Sequence, residues 1–410
     1  MKKIKSLKVS TPQGESGLLT HDSRYVFNYT ATERQCETSL LMPLRAESYA
    51  YGAMLGPFTM NLPEGYLKEK IEERLAKFGS VDDMQLLAFT GNNQIGRLQF
   101  REPESNEVGR KAQMGKSELL KQPSSDHLFE FLLDAYLESG ISGVQPKVMI
   151  PDADKLSERA TIIHSDLIVK ASGEDYPHLA VNEFLCMSAA KSAGLQVPPF
   201  WLSDDGSLFV MERFDLHEGQ QLGFEDMAVL MNKTSKKDEK YQSSYEAVAK
   251  AINLYCQDEQ RADSLYRLFE YVALSVMVRN GDAHLKNFGL LYDHPASGNG
   301  PKLSPLYDVV TTSAYDLISS PSRGVVVDRT MALKMSGARD YPNRKDLMTF
   351  GKMCSVKKPE QVIERIADAM QNTLEQHSNR AELTFFNRIK REWDAGRMSL
   401  EPSHFIKTRY

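Results

Sequence analysis

Hydrophobic and polar positions alternate in short runs over the first quarter of the chain. Tyr25-Val-Phe-Asn-Tyr29 is the clearest, and a period of two predicts half-buried strands. Glu64 to Phe78 changes to helical spacing, with Pro63 at its start and Gly79 at its end. Residues 1–105 therefore read as a small β-rich subdomain with two helices. The polar run Glu102 to Ser117 follows as a predicted linker or loop. Next come an apolar helix over Asp126–Glu138 and strand-like runs at Lys147–Ile150 and Thr161–Val169. A helix over Leu179–Ala193 is closed by Gly194, and Ser207–Phe214 reads as a strand.

Beyond residue 220 the pattern turns helical. Arg261–Val278 sets Leu265, Leu268, Val272 and Val276 on one face. Two strands, Phe288–Tyr292 and Lys302–Leu306, flank a Gly/Pro/Asn-rich turn, and helical stretches follow near 345–353, 359–374 and 376–393. The expected fold class is α+β, with a β-rich N-terminal lobe carrying the extra small subdomain and a mostly helical C-terminal lobe. The expected boundaries are 1–105, 106–255 and 256–410.

Composition narrows the class. A chain of 410 residues exceeds one ordinary core, so about two or three domains are expected. With 41% hydrophobic and 26% charged residues it reads as globular, and a net charge of −5 argues against non-specific nucleic-acid binding by the whole chain. Cys36, Cys186, Cys256 and Cys354 form no CxxC pair, which suits reduced thiols and gives no zinc framework. The basic start Met1–Lys8 is not followed by a long apolar stretch, and no run of about 18 apolar residues occurs anywhere. A cytoplasmic protein without membrane contact is expected.

The chemistry concentrates in Arg279-Asn-Gly-Asp-Ala-His-Leu-Lys-Asn-Phe288. Asp282 is followed five residues later by Asn287, and Asp308 arrives 21 residues after that. This is the order in which phosphoryl transfer uses a base for the attacking hydroxyl and two magnesium ligands. Asp282 fits the base; Asn287 and Asp308 fit the metal. His284 and Lys286 lie close enough in sequence to reach a phosphate. Upstream, Lys170 ends an apolar strand, as a phosphate-binding lysine does, and Glu183 on the next helix is the candidate to orient it. Ser139 to Lys147 is a glycine-containing loop suited to close approach of backbone amides to phosphate, although it is neither GxxxxGK[ST] nor GxGxxG. Glu212, Arg213 and Phe214 follow a strand where a hinge would meet adenine.

Together these residues resemble the HipA-type serine/threonine kinases, the toxins of bacterial toxin–antitoxin pairs. The resemblance runs over almost the whole chain, from Asn61-Leu-Pro63 to Leu333-Lys-Met335. It implies a bilobal protein-kinase-like fold that uses ATP and Mg2+. It also implies ATP contacts from Ser142, Gly143, Val144, Gln145 and Lys147, from Lys170, and from Glu212, Arg213 and Phe214. His284, Lys286, Asn287, Tyr307 and Asp308 complete that set, with Asp282 catalytic and metal on Asn287 and Asp308. Relatives often carry an autophosphorylated serine in a Ser-x-Ser-Gly loop. Gly140 stands at the first of those positions here, leaving Ser142 as the candidate. The implied partners are a small helix-turn-helix antitoxin, DNA mainly through that antitoxin, and a protein substrate such as an aminoacyl-tRNA synthetase. The competing expectation is a small-molecule phosphotransferase of the aminoglycoside or choline kinase type, whose loop has the same G-D-x-H-x-x-N form. A third is a pseudokinase scaffold, disfavoured by the intact Lys170, Asp282, Asn287 and Asp308.

Overall fold

The computed structural model describes residues 3–60, 62–63, 65–76, 80–91, 94–103, 115–122, 128, 133, 160–164, 166–171, 176–234, 236–315, 317–318 and 325–402. The chain divides into two compact units, each built from separated stretches. The first takes Met1–Pro177, Phe200–Glu225 and Leu290–Gly300; the second takes His178–Pro199, Asp226–Gly289 and Pro301–Tyr410. This interleaved cut differs from the three contiguous segments expected from the sequence.

The first unit begins with strands β1 (Ser6–Thr11), β2 (Gly14–His21), β3 (Tyr25–Tyr29), β4 (Tyr49–Tyr51) and β5 (Gln99–Arg101). They form one sheet in the order β4-β3-β2-β1-β5. Alternation sends Leu7 and Val9 inward and Lys8 outward, and the register sets Leu7 against Leu19 and Leu19 against Phe27. One buried row thus crosses three strands. A second sheet joins β6 (Ala160–His164), β7 (Leu167–Ala171), β8 (Phe200–Leu202) and β9 (Leu208–Glu212) in the order β6-β7-β9-β8. Val169 and Val210 of this sheet share a hydrophobic cluster with Leu7, Phe27, Phe58 and Phe100. The two sheets therefore rest on one core.

Two buried polar knots reinforce that core. Arg213 forms an ion pair of 2.6 Å with Asp215, both almost fully buried, and its guanidinium also donates to the carbonyl of Gln94. Asp215 takes the amide of Gly96 at 2.7 Å. Glu225 accepts from Ser39 Oγ (2.6 Å), the Leu40 amide (2.7 Å) and the Tyr292 hydroxyl (2.5 Å).

The second unit is organised around the 20-residue helix Asp258–Met277, whose second half is buried on nearly every face. The helices Tyr245–Tyr255, Arg344–Met353, Pro359–Gln376 and Leu383–Met398 pack on it, and Leu179–Ser192 lies against Pro359–Gln376. At Gly396 a Cβ would stand 1.9 Å from the Met277 carbonyl oxygen, so only glycine permits this helix contact. The expected helix over 376–393 begins later, at Leu383. Pro359–Gln376 runs to its own end first, and Ser378-Asn379 between the two favours turn over helix. The predicted strand Lys302–Leu306 closes at Leu303, because Pro305 has no amide hydrogen for a ladder.

All four cysteines are buried and free, and burial pushes the Cys186 thiol up to about 12, which leaves it unreactive. Among the described residues no helix is long and apolar enough to cross a membrane.

Asp215→Ala leaves the Arg213 guanidinium buried without its counter-charge. A loss of about 3–5 kcal/mol is expected, measured as a lower urea midpoint at unchanged slope.

Candidate active site

The loop that follows the central helix is fixed before any side chain in it acts. Arg279 adopts a left-handed backbone (φ 58°) that turns the chain out of the helix. Asn280 Oδ1 accepts the Asp282 amide at 3.0 Å, and Gly281 donates its amide to Thr312 Oγ1 at 2.7 Å. A Cβ on Gly281 would stand 2.7 Å from the Thr330 carbonyl oxygen, which explains the glycine. Three further anchors hold the loop's carbonyls. Thr312 donates to that of Arg279, the Tyr245 hydroxyl to that of Ala283 (3.0 Å), and the Tyr307 hydroxyl to that of Lys286 (2.7 Å). Burial raises the proton affinity of both tyrosines, so each remains a donor.

On this frame Asn287 and Asp308 meet. Asn287 Nδ2 donates to Asp308 Oδ2 at 2.7 Å, while Asn287 Oδ1 accepts the His284 amide at 2.9 Å. Asp308 is itself left-handed (φ 61°), a conformation that costs a non-glycine residue about 1–3 kcal/mol and persists where its surroundings impose it. Those surroundings are the segment Val309–Tyr315. Asn182 on the Leu179–Ser192 helix clamps Thr311 through both backbone groups, at 2.8 and 3.0 Å, and Trp393 Nε1 donates to Thr311 Oγ1 at 2.8 Å. Asp282 stands nearby in the loop with its side chain 39% exposed, and Tyr241 donates to its Oδ1 at 3.0 Å.

A carboxylate and an amide oxygen with a spare lone pair are hard donors that suit Mg2+. No group of three or more His, Cys, Asp or Glu that could hold a metal occurs among the described residues. With two protein ligands, a Mg2+ ion held here would take its remaining ligands from phosphate oxygens and water. His284 is almost fully buried, with Nε2 4.0 Å from Asp282 Oδ1. Burial outweighs the opposing pull of Asp282 and pushes its imidazole down to about 4.

In the first unit Lys170 sits on β7, 7% exposed, with Nζ 5.9 Å from the centre of the Phe209 ring. Glu212 ends β9 and lies 3.5 Å from Lys116 Nζ. The side chain of Arg213 is committed to Asp215 and Gln94, and Phe214 packs edge-on against Phe224. Glu183 is buried on the Leu179–Ser192 helix of the second unit. Ser142, Gly143, Val144, Gln145 and Lys147 lie outside the described residues.

The structure thus brings together Asp282, His284, Lys286, Asn287, Tyr307 and Asp308. Tyr307 acts through its hydroxyl on the loop backbone. Sequence reasoning missed Tyr241, Tyr245 and the clamp made by Asn182. Each lies tens of residues or more from what it holds, and no spacing rule announces such a bond.

Comparison with known proteins agrees with this architecture. The HipA-like C-terminal domain matches residues 139–378, more than half of the chain, and the HipA N-terminal domain matches residues 7–101. The chain belongs to the HipA-like family. A Haemophilus influenzae protein named "Putative kinase" is 30% identical over 189 residues, covering 43% of this chain and 53% of that protein. A "Putative kinase" of Sinorhizobium fredii is 25% identical over 285 residues, 65% of this chain and 64% of the relative. The chain thus spans between half and two thirds of these relatives' lengths. Among solved structures, that of the Shewanella oneidensis toxin–antitoxin system HipA, HipB and operator DNA superposes with a TM-score of 0.65. The identity is 15%, and the match covers 95% of this chain and 96% of the other. The α+β fold is therefore of the HipA kind.

Unfolded histidine titrates near 6.5, so between about pH 6.5 and 4 the unfolded chain binds a proton that folded His284 refuses. Stability is expected to fall as pH drops through that window. His284→Asn should flatten this slope, read from urea midpoints at about pH 7.5 and 5.

Proposed function

We propose that this chain is a Mg2+- and ATP-dependent serine/threonine protein kinase of the HipA kind. The contact that carries this reading is Asn287 Nδ2 on Asp308 Oδ2 at 2.7 Å, in the same braced loop as Asp282. Membership of the HipA-like family and two relatives named as kinases support it. In the reaction, an acceptor hydroxyl attacks the γ-phosphorus, its proton passes to Asp282, and the bond to the β-phosphate oxygen breaks to release ADP. Asn287 and Asp308 would hold Mg2+, which neutralises phosphate charge when bound. Lys170 and the Ser142–Lys147 loop would bind the phosphates, and Lys286 adds a cation near the transferring group. The backbone of Glu212 to Phe214 would meet adenine, since the Arg213 side chain is already engaged.

The substrate would be a translation component such as an aminoacyl-tRNA synthetase, and Ser142 the self-modified residue. A small helix-turn-helix antitoxin would restrain the enzyme in the cytoplasm and carry most of the DNA contact. The solved HipA–HipB–operator structure that shares this fold motivates that partner.

Asp282→Asn is expected to lower transfer from γ-labelled ATP into lysate protein by several orders of magnitude. Asp308→Asn should abolish Mg2+-dependent ATP binding. Label in a small metabolite instead of a protein band would favour the small-molecule phosphotransferase, and full activity of the Asp282 variant would overturn the proposal.

A further inference from the structure

Asp282 carries two carboxylate oxygens in unlike surroundings. Oδ1 accepts the Tyr241 hydroxyl at 3.0 Å and lies 4.0 Å from His284 Nε2, beyond hydrogen-bond reach. Among the described residues Oδ2 receives no hydrogen bond, and the side chain is 39% exposed. Tyr241 is held from several directions. Its ring meets His284 edge-on at 5.1 Å, and its carbonyl accepts from Arg339 Nη2 at 2.6 Å. Two residues on, the Ser243 carbonyl accepts the Lys334 amide at 3.1 Å, and Ser244 caps the Tyr245–Tyr255 helix. With its ring and backbone held in this way, Tyr241 presents its hydroxyl to Asp282 from a fixed frame.

We propose that Tyr241 is a positioning residue for phosphoryl transfer: its hydroxyl fixes the Asp282 carboxylate through Oδ1, so that Oδ2 takes the proton of the acceptor. This inference rests on the kinase reading above. A carboxylate free to rotate about its terminal bond presents the proton-accepting oxygen only part of the time. A charge-assisted hydrogen bond to one oxygen removes that freedom. The acceptor hydroxyl then approaches from the exposed side, and Tyr241 itself never touches substrate.

The test compares wild type, Asp282→Asn, Tyr241→Phe and Arg339→Ala in initial rates of label transfer from γ-labelled ATP into lysate protein. Apparent KM for ATP and thermal midpoint are measured in parallel. Tyr241→Phe keeps the ring on His284 and loses only the hydroxyl. Its maximal rate should fall ~10- to 100-fold with KM for ATP and thermal midpoint unchanged. Arg339 is exposed and anchors Tyr241 through its backbone, so Arg339→Ala should give a smaller fall of the same kind, whether or not the Phe variant folds well. A Tyr241→Phe variant as fast as wild type overturns the inference. So does a faster one, since the hydroxyl would then be blocking the acceptor's place. If wild type and Asp282→Asn transfer label equally, the kinase reading itself has failed. If those two differ while both other variants match wild type, only the role given to Tyr241 has failed.

Discussion

A carboxylate in left-handed backbone is the point on which the candidate site of the second unit depends. Asp308 holds φ 61° because the residues on both sides of it are fastened elsewhere. Tyr307 donates to the loop that carries Asp282, and Thr311 is clamped by Asn182 and capped by Trp393. Release either fastening and the strained residue has no reason to stay. The meeting of Asp308 with Asn287 would be lost with it.

Most of the polar groups that do this are buried, and almost all of them act on backbone. Tyr245, Thr312 and Tyr307 hold carbonyls of the loop, while Asn182 holds both backbone groups of Thr311. The candidate base is thereby spared structural duty: among the described residues the Asp282 carboxylate takes one hydrogen bond, from Tyr241, on Oδ1, and its side chain stays 39% exposed. The division of labour also explains why Arg213, placed in sequence where a nucleotide contact was expected, is spent on Asp215 inside the first unit.

Legibility in the sequence followed the range of the interaction. Tyr25–Tyr29 was plain from alternation, and the Arg261–Val278 helix was found within three residues of its ends, because strand and helix periods are local properties. The D-x-H-x-x-N spacing and the later Asp308 were legible because a loop and the turn after it carry them. Tyr241 lies 41 residues before Asp282, and Asn182 lies 129 before Thr311, so only folding reveals those bonds. The start of the last helix was misjudged because helical periodicity continues through Ser378-Asn379, residue types that favour a turn, and the chain turns there with the Arg380 amide on the His377 carbonyl.

The knots at Asp215 and Glu225 bear on how far the N-terminal hundred residues can be regarded as a separable module. Gly96 and Gln94 hold one knot, and Ser39 and Leu40 hold the other. Excising that segment would take the Gln94 and Gly96 partners from the Arg213–Asp215 pair and the Ser39 and Leu40 partners from Glu225, and would strip one side from a shared core. The small sheet is thus a wall of the first unit's interior, and evolution could exchange it only together with the residues it shields.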